Sequence, residues 1–162
     1  MTPPDFDVRL ARIEDAAAVG RMLEDFAREF ETPTADATTL TRRVGALLER
    51  DEAIVPFAEA AGEPAGFGIL IARPTTFVDG LASYLEELYV IPRLRGMRIG
   101  SSLIELAMRE ARGRGVEVME IGVDEPDVEA MRFYERHGFS NRAAPGSEER
   151  MFLFERDLDQ IA

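Results

Sequence analysis

The chain has 162 residues, with 31 acidic side chains against 19 basic ones, all of them Arg, for a formal net charge of −12. That length is one domain's worth, residues 1–162, enough to bury a core without staples. One His and no Cys exclude disulfides, a thiolate nucleophile, a thiolate metal site and a His-rich metal centre, and the acidic balance disfavours nucleic acid and anionic membranes while attracting cationic small molecules.

The opening MTPPDFDVRL has neither a basic n-region nor an apolar h-region. No apolar run is long enough to cross a bilayer, so a cytoplasmic protein is expected. FDVRLAR (6–12) alternates like a strand. Asp15 is placed to cap a helix whose Val19, Met22, Leu23, Phe26 and Phe30 recur on one face. A second helix is expected over 38–50. AIVPFAEA (53–60) and AGFGILIAR (65–73) flank a turn and predict an antiparallel hairpin. LASYLEELYV (81–90) is a third strand, and the loop PRLRGMRIG (92–100) leads into an apolar helix over 101–115. A strand at 116–123, a helix at 127–139 and a last strand at 150–158 complete the order. The pattern predicts an α+β fold, a mixed and mostly antiparallel sheet with flanking helices and one parallel β-loop-α-β crossover.

The strand–loop–helix around 85–112 carries the chemistry. A helix N-terminus presents unpaired N–H groups and the positive end of the dipole, and glycines such as Gly96 and Gly100 let a phosphate approach the backbone. Residues 92–114 hold six Arg and two Glu, a local +4 against −16 in the rest of the chain. Arg93, Arg95 and Arg98 at the helix mouth fit a polyphosphate seat. A solvated Arg-rich turn is the plainer reading of the same residues. There is no GxxxxGK[ST] and no GxGxxG, so neither a P-loop nor a dinucleotide fingerprint is present.

LEELYVIPRLRGMRIGSSLIELA followed by DVEAMRFYERHGF resembles the paired signature of the GNAT superfamily of acyl-CoA-dependent N-acetyltransferases. The start VRLARIEDA and the hairpin AEAAGEPAGFGIL resemble it too, so the likeness covers nearly the whole chain. Arg95 and Gly100 match the family's loop pattern, Gln/Arg-x-x-Gly-x-Gly/Ala, while Arg98 stands at its first Gly. Asp127 stands where the second motif has Asn. It can cap the helix, but it lacks the amide donor.

The resemblance implies acetyl-CoA as co-substrate and no metal. It assigns the cofactor site to Leu88, Val90, Arg95, Gly96, Met97, Arg98, Ile99, Gly100, Ser101, Asp127, Ala130 and Tyr134. Backbone amides of the loop would hold the pyrophosphate, and Leu88 and Val90 would run beside the pantetheine. Tyr134, of the Phe-Tyr-Glu match, would be the general acid towards the coenzyme A sulfur; packing of its helix is the alternative role. Glu86 and Glu87 point to opposite faces of a regular strand. Glu86, which shares parity with Leu88 and Val90, is chosen as general base, with Glu87 structural or at the pocket edge. His137, near a helix C-terminus, is given no role. Met22, Phe26, Phe30, Phe67 and Phe77 are candidates for the acceptor pocket, or simply core.

The expected reaction is acetyl transfer to a primary amine of a small cationic or amino-acid-like metabolite, by direct attack in a ternary complex. LASYLEELYV resembles members acting on polyamines or small amine metabolites. A protein or peptide amine and a non-catalytic acyl-CoA-binding regulatory module are the competing readings. Neither nucleic acid nor a membrane is expected as partner, and a homodimer is the assembly the resemblance allows.

Overall fold

Residues 5–158 are described in a computed structural model of the chain. They fall in two units of dense contacts, one running to Ile121 and one from Gly122.

The first unit is built on a six-stranded sheet. Its strands are β1 (Phe6–Leu10), β2 (Ala53–Ile54), β3 (Pro56–Ala60), β4 (Glu63–Pro74), β5 (Leu81–Val90) and β6 (Val116–Glu120). The spatial order is β1-β3-β4-β5-β6, with β2 beside β4. The expected strand at 53–60 is split before Pro56, whose missing N–H interrupts the ladder. All pairings are antiparallel except β5 with β6, and the parallel crossover runs through α3 (Ile99–Gly113). The predicted α+β architecture is thus the one formed.

Apolar periodicity sorts the helices onto the two faces. α1 (Ala16–Glu29) and α2 (Ala37–Leu48) cover one face, where Val19, Met22 and Val44 pack with Val55, Phe57, Phe67, Ile69 and Tyr89. On the other face Ile99 and Leu103 of α3 pack with Ala58, Ala60, Ala65 and Leu94. Gly66 makes the closest approach there: a Cβ on it would lie 2.6 Å from the Tyr89 carbonyl oxygen and 3.2 Å from Leu103.

The β4–β5 ladder contains one irregularity. Ile69 pairs with Glu87 and the next residue, Leu70, pairs with Leu85, so Glu86 is an extra residue opposite no partner. This is a β-bulge. On the outer edge β5 pairs with β6 only through Leu81–Tyr84, and from Leu85 to Val90 that edge has no ladder partner among the described residues.

The second unit contains α4 (Val128–Arg136). Asp127 caps it as expected, accepting from the Ala130 amide at 2.9 Å. The strand expected at 150–158 does not form. Pairing stops at a single bridge, Arg142 with Arg150, and Met151–Phe154 are exposed. A β-prone run becomes a strand only against an edge in register, and here the ladder ends after the bonds from Ala143 to Glu149 and from Met151 to Asn141.

Asp15 also behaves differently from expectation. It precedes α1 but its carboxylate makes no bond to the helix. Instead it takes the Arg9 guanidinium at 2.7 and 3.0 Å and the Arg12 amide at 2.7 Å. Arg9 also reaches Glu59 at 3.1 Å. The strong Arg9 hydrogen bond outweighs burial and holds the Asp15 carboxyl below its ordinary 3.8. A depressed pKa stabilises the fold above the unfolded-state value, and that stability is lost as pH falls through the lower folded value. Asp15→Asn is therefore expected to cost about 1–3 kcal/mol at pH 7, measured by urea denaturation, with the difference shrinking below about pH 4. A pH-independent difference would show that the ion pair is not its source.

Candidate functional site

β5 supplies the first part of the site. Because Glu86 is an inserted residue, side-chain parity reverses across it. Before the bulge Tyr84 pairs with Ile71, and after it Glu87 pairs with Ile69 and Tyr89 with Phe67. Directly paired residues share a face, so Tyr84, Glu87 and Tyr89 all lie on the α1/α2 side. Leu85, Leu88 and Val90 pair with Leu70, Gly68 and Gly66 on the α3 side. Glu86 is exposed on the bulge, whereas Glu87 is half-buried. Burial raises the Glu87 carboxyl from 4.5 to about 7; the Leu88 amide opposes this and the Glu86 charge adds to it.

Aromatic rings surround this part of the sheet. Phe26 of α1 meets the edge of Tyr89 at 5.8 Å and stacks at a tilt on Phe30 at 4.8 Å. Phe67 lies 6.0 Å from Tyr89 on the other side. Met22 and Phe67 are core residues, while Phe30 is half-exposed at the end of α1. Phe77 sits in the β4–β5 connection, at the far end of β5 from the loop, and is exposed. Burial first, then the negative charge of Glu29, raises the Tyr89 phenol; Arg95 opposes and Asp25 adds.

The loop after β5 makes a short 3₁₀ turn at Pro92–Leu94 and enters α3 at Ile99, two residues earlier than expected. Gly96 has φ +76° and nothing within 4 Å of the position a Cβ would take. Arg98 is the N-cap of α3 and has φ 67°, so it adopts the left-handed conformation that glycine adopts without penalty. Arg98 thus holds, at the motif's Gly position, a backbone conformation that favours glycine. The first α-helical bond runs from the Ser102 amide to the Arg98 carbonyl at 3.0 Å. The amides of Ile99, Gly100 and Ser101 are therefore the helix's unsatisfied first-turn donors, at the positive end of its dipole. Such a set accepts a phosphate or pyrophosphate group.

The Arg residues near this mouth do not form one patch. Arg95 turns back along β5: its Nε donates to the Val90 carbonyl at 2.9 Å, and its two terminal nitrogens bind Glu29 of α1 at 2.5 and 2.8 Å. Its guanidinium also lies 5.5 Å from the Tyr89 ring centre. Arg114, at the far end of α3, donates to the Asp51 and Ala53 carbonyls at 2.7 and 3.1 Å. The sequence reading missed Glu29, for no motif marks a residue 66 positions from its partner.

In the second unit Tyr134 is buried, with ring centres of Phe133 at 5.2 Å and Phe139 at 5.5 Å, both edge-on. His137 follows α4 as its C-cap, with Nδ1 2.8 Å from the Phe133 carbonyl oxygen. Among the described residues no group of three or more His, Cys, Asp or Glu is placed to hold a metal ion, and no helix is long and apolar enough to cross a membrane. A cavity of about 730 Å³ lies near Leu48, Ala53, Leu81 and Arg114, at the opposite end of β5 from Glu87 and the loop.

Comparison with known proteins places this geometry in context. The model of the acetyltransferase (GNAT) family matches residues 19–139. The uncharacterised N-acetyltransferase YhfO of Bacillus subtilis (strain 168) is 26% identical over 133 residues, 82% of this chain and 89% of that protein. A crystal structure from Arthrobacter sp. FB24, of a protein inferred to be an acetyltransferase, superposes with a TM-score of 0.85 at 39% identity, covering 94% of this chain and 96% of that one. The aminoalkylphosphonate N-acetyltransferase of Salmonella typhimurium (strain LT2) is 42% identical over 55 residues, 34% of this chain and 36% of that protein.

Arg98→Gly tests the loop geometry directly. Removing the Cβ from a left-handed position is expected to stabilise the protein by about 0.5–1 kcal/mol in urea denaturation. A loss of stability would contradict the left-handed assignment.

Proposed function

The chain belongs to the acetyltransferase (GNAT) family and is an acyltransferase; from that premise we propose that it transfers the acetyl group of acetyl-CoA to a primary amine of a small cationic or amino-acid-like metabolite, with Glu87 rather than Glu86 as the general base. The observation that carries the base assignment is the bulge. It turns Glu87 onto the face it shares with Tyr89 and the end of α1, and burial there brings its carboxyl to about 7. A general base works best when its pKa lies near the operating pH. An exposed Glu86 on the bulge has no such environment.

In this reading the pyrophosphate sits on the amides of Ile99, Gly100 and Ser101, with Gly96 and Arg98 shaping the turn beneath it. Met97 and Arg95 belong to the same loop. The pantetheine arm runs along the open edge of β5 beside Leu88 and Val90, where the absence of a β6 partner leaves backbone groups to meet its amides. The substrate ammonium gives a proton to Glu87, directly or through one water. The free amine then attacks the acetyl carbonyl carbon. As the tetrahedral intermediate collapses the C–S bond breaks and the thiolate takes a proton, the donor role that the motif match gives to Tyr134; the second proton, still on the new amide nitrogen, then leaves and restores the phenol. Asp127 and Ala130 support the start of the Tyr134 helix through their capping bond.

The acceptor class rests on charge and on likeness. The net charge of −12 favours a cationic amine. The short stretch of identity to an aminoalkylphosphonate N-acetyltransferase agrees with a small amine. No observation favours a protein or peptide acceptor.

Kinetics of Glu87→Gln test the base. The wild-type kcat/KM is expected to rise with pH through a midpoint near 7 as Glu87 ionises. Glu87→Gln should lose that limb and at least about 100-fold in kcat, whereas Glu86→Gln keeps it. The raised pKa also fixes a sign for stability. The folded state disfavours the ionised carboxylate, so Glu87→Gln should gain stability relative to wild type as pH rises from 4.5 to 7, by up to about 3 kcal/mol. A limb that persists in Glu87→Gln and vanishes in Glu86→Gln would return the role to Glu86.

A further inference from the structure

We infer that Arg95 is a positioning residue that carries occupancy of the cofactor loop to the end of α1, so that acetyl-CoA orders the face the acceptor meets. This rests on the reading that acetyl-CoA binds at residues 96–101.

Three separate elements meet at one side chain. Arg95 begins the loop, directly after the 3₁₀ turn, and its backbone is extended. Its side chain grips the last carbonyl of β5 through Nε. Both terminal nitrogens hold the carboxylate of Glu29, the last residue of α1. Its planar face lies by the ring of Tyr89. A two-pronged Arg–carboxylate pair fixes orientation as well as distance. A Lys at this position would keep the charge and lose that geometry. The acidic partner and the aromatic partner are themselves joined, because Tyr89 meets Phe26 one turn before Glu29 on α1.

The consequence follows from how few atoms separate the two sites. Gly96, next to Arg95, takes the left-handed conformation at the start of the loop. A phosphate settling on the first amides of α3 fixes the loop from Gly96 onward, and with it the Arg95 backbone from which the guanidinium is hung. Glu29 is then held in place, and with it the turn that carries Phe26 and half-exposed Phe30. That turn ends in three weakly protected bonds: the Phe30 amide to Phe26, Glu31 to Arg28 and Thr32 to Ala27, at 3.1, 3.3 and 2.9 Å. Glu31 also sits at φ +52°, a conformation uncommon for a non-glycine residue. The exposed end of α1 is thus joined to the cofactor loop through the Arg95–Glu29 pair. Site-to-site coupling of this kind is reciprocal and typically about 5–150-fold.

Amide hydrogen exchange with and without saturating acetyl-CoA reads this link without any knowledge of the acceptor. In wild type, acetyl-CoA should slow exchange at residues 99–102 and, by about fivefold or more, at residues 30–32. In Glu29→Gln and in Glu29→Ala the protection at 99–102 should remain while that at 30–32 disappears. Both substitutions are at one part-exposed position, and thermal denaturation of the free proteins checks that they fold. Protection at 30–32 that survives in both variants, or is absent from wild type while 99–102 is protected, overturns the coupling. Absence of protection at 99–102 in wild type overturns instead the reading that the loop binds acetyl-CoA.

Discussion

One inserted residue sets the chemistry of the central sheet. Glu86 has no partner on β4, and everything beyond it on β5 is turned over relative to a regular strand. In a strand of strict alternation the face that takes Tyr84 would also take Glu86, Leu88 and Val90. The bulge delivers Glu87 and Tyr89 to that face instead, and sends Leu88 and Val90 towards α3. A shift of one residue flips every following side chain, so a single insertion exchanges an apolar pair for a carboxylate and a phenol. The carboxylate is then surrounded by core residues, Ile69 across the ladder and the α1/α2 cluster beyond it. Burial disfavours the charged form, and the carboxyl moves into the neutral range.

The same strand governs the second half of the site by what it leaves open. β6 pairs with only the first four residues of β5, so the bulged portion has a free outer edge leading straight into the loop and the mouth of α3. Polar backbone along that edge and the first-turn amides beyond it follow one another in a path along the chain, with the half-buried Glu87 carboxylate on one face of the same strand. In the proposed function that path holds an extended thioester, with its anionic end on the helix and its reactive end near Glu87. The cationic charge of Arg95 is engaged elsewhere, paired with Glu29 of α1. In that reading the labour is divided physically: phosphate would be met by backbone amides and the helix dipole, which need no mobile side chain, while the Arg95 guanidinium pairs with Glu29.

Much of the fold could be read from the chain because its signals are local. The apolar spacing of Val19, Met22 and Phe26, the glycines after α3 and the Asp127 cap each act over a few residues, and each formed as expected. Two kinds of feature were hidden. The bulge depends on how β4 and β5 twist against each other, and nothing in LEELYV marks Glu86 as the extra residue, so strand parity could not show that Tyr84 and Glu87 share a face. Side-chain partners outside the helix were equally invisible: Asp15 was read as a cap because it precedes a helix, but Arg9, six residues back on β1, claims its carboxylate. Glu29 and Arg95 likewise meet only once α1 lies across the sheet. At 150–158 the apolar run suggested a strand, and the pairing that would make it one extends no further than Arg150. At Arg98 the residue departs from the motif, yet its backbone takes the left-handed conformation that glycine favours.

The central claim is that the bulge places Glu87 in an environment where its carboxyl titrates near neutrality. Selective carbon-13 labelling of glutamate, with the Glu87 resonance assigned by its Gln substitution, allows that carboxyl to be titrated by NMR in the intact protein. The account predicts a midpoint of about 7. A midpoint near the ordinary glutamate value of about 4.3 would contradict it, and would mean that Glu87 is solvated and that the bulge does not build the base.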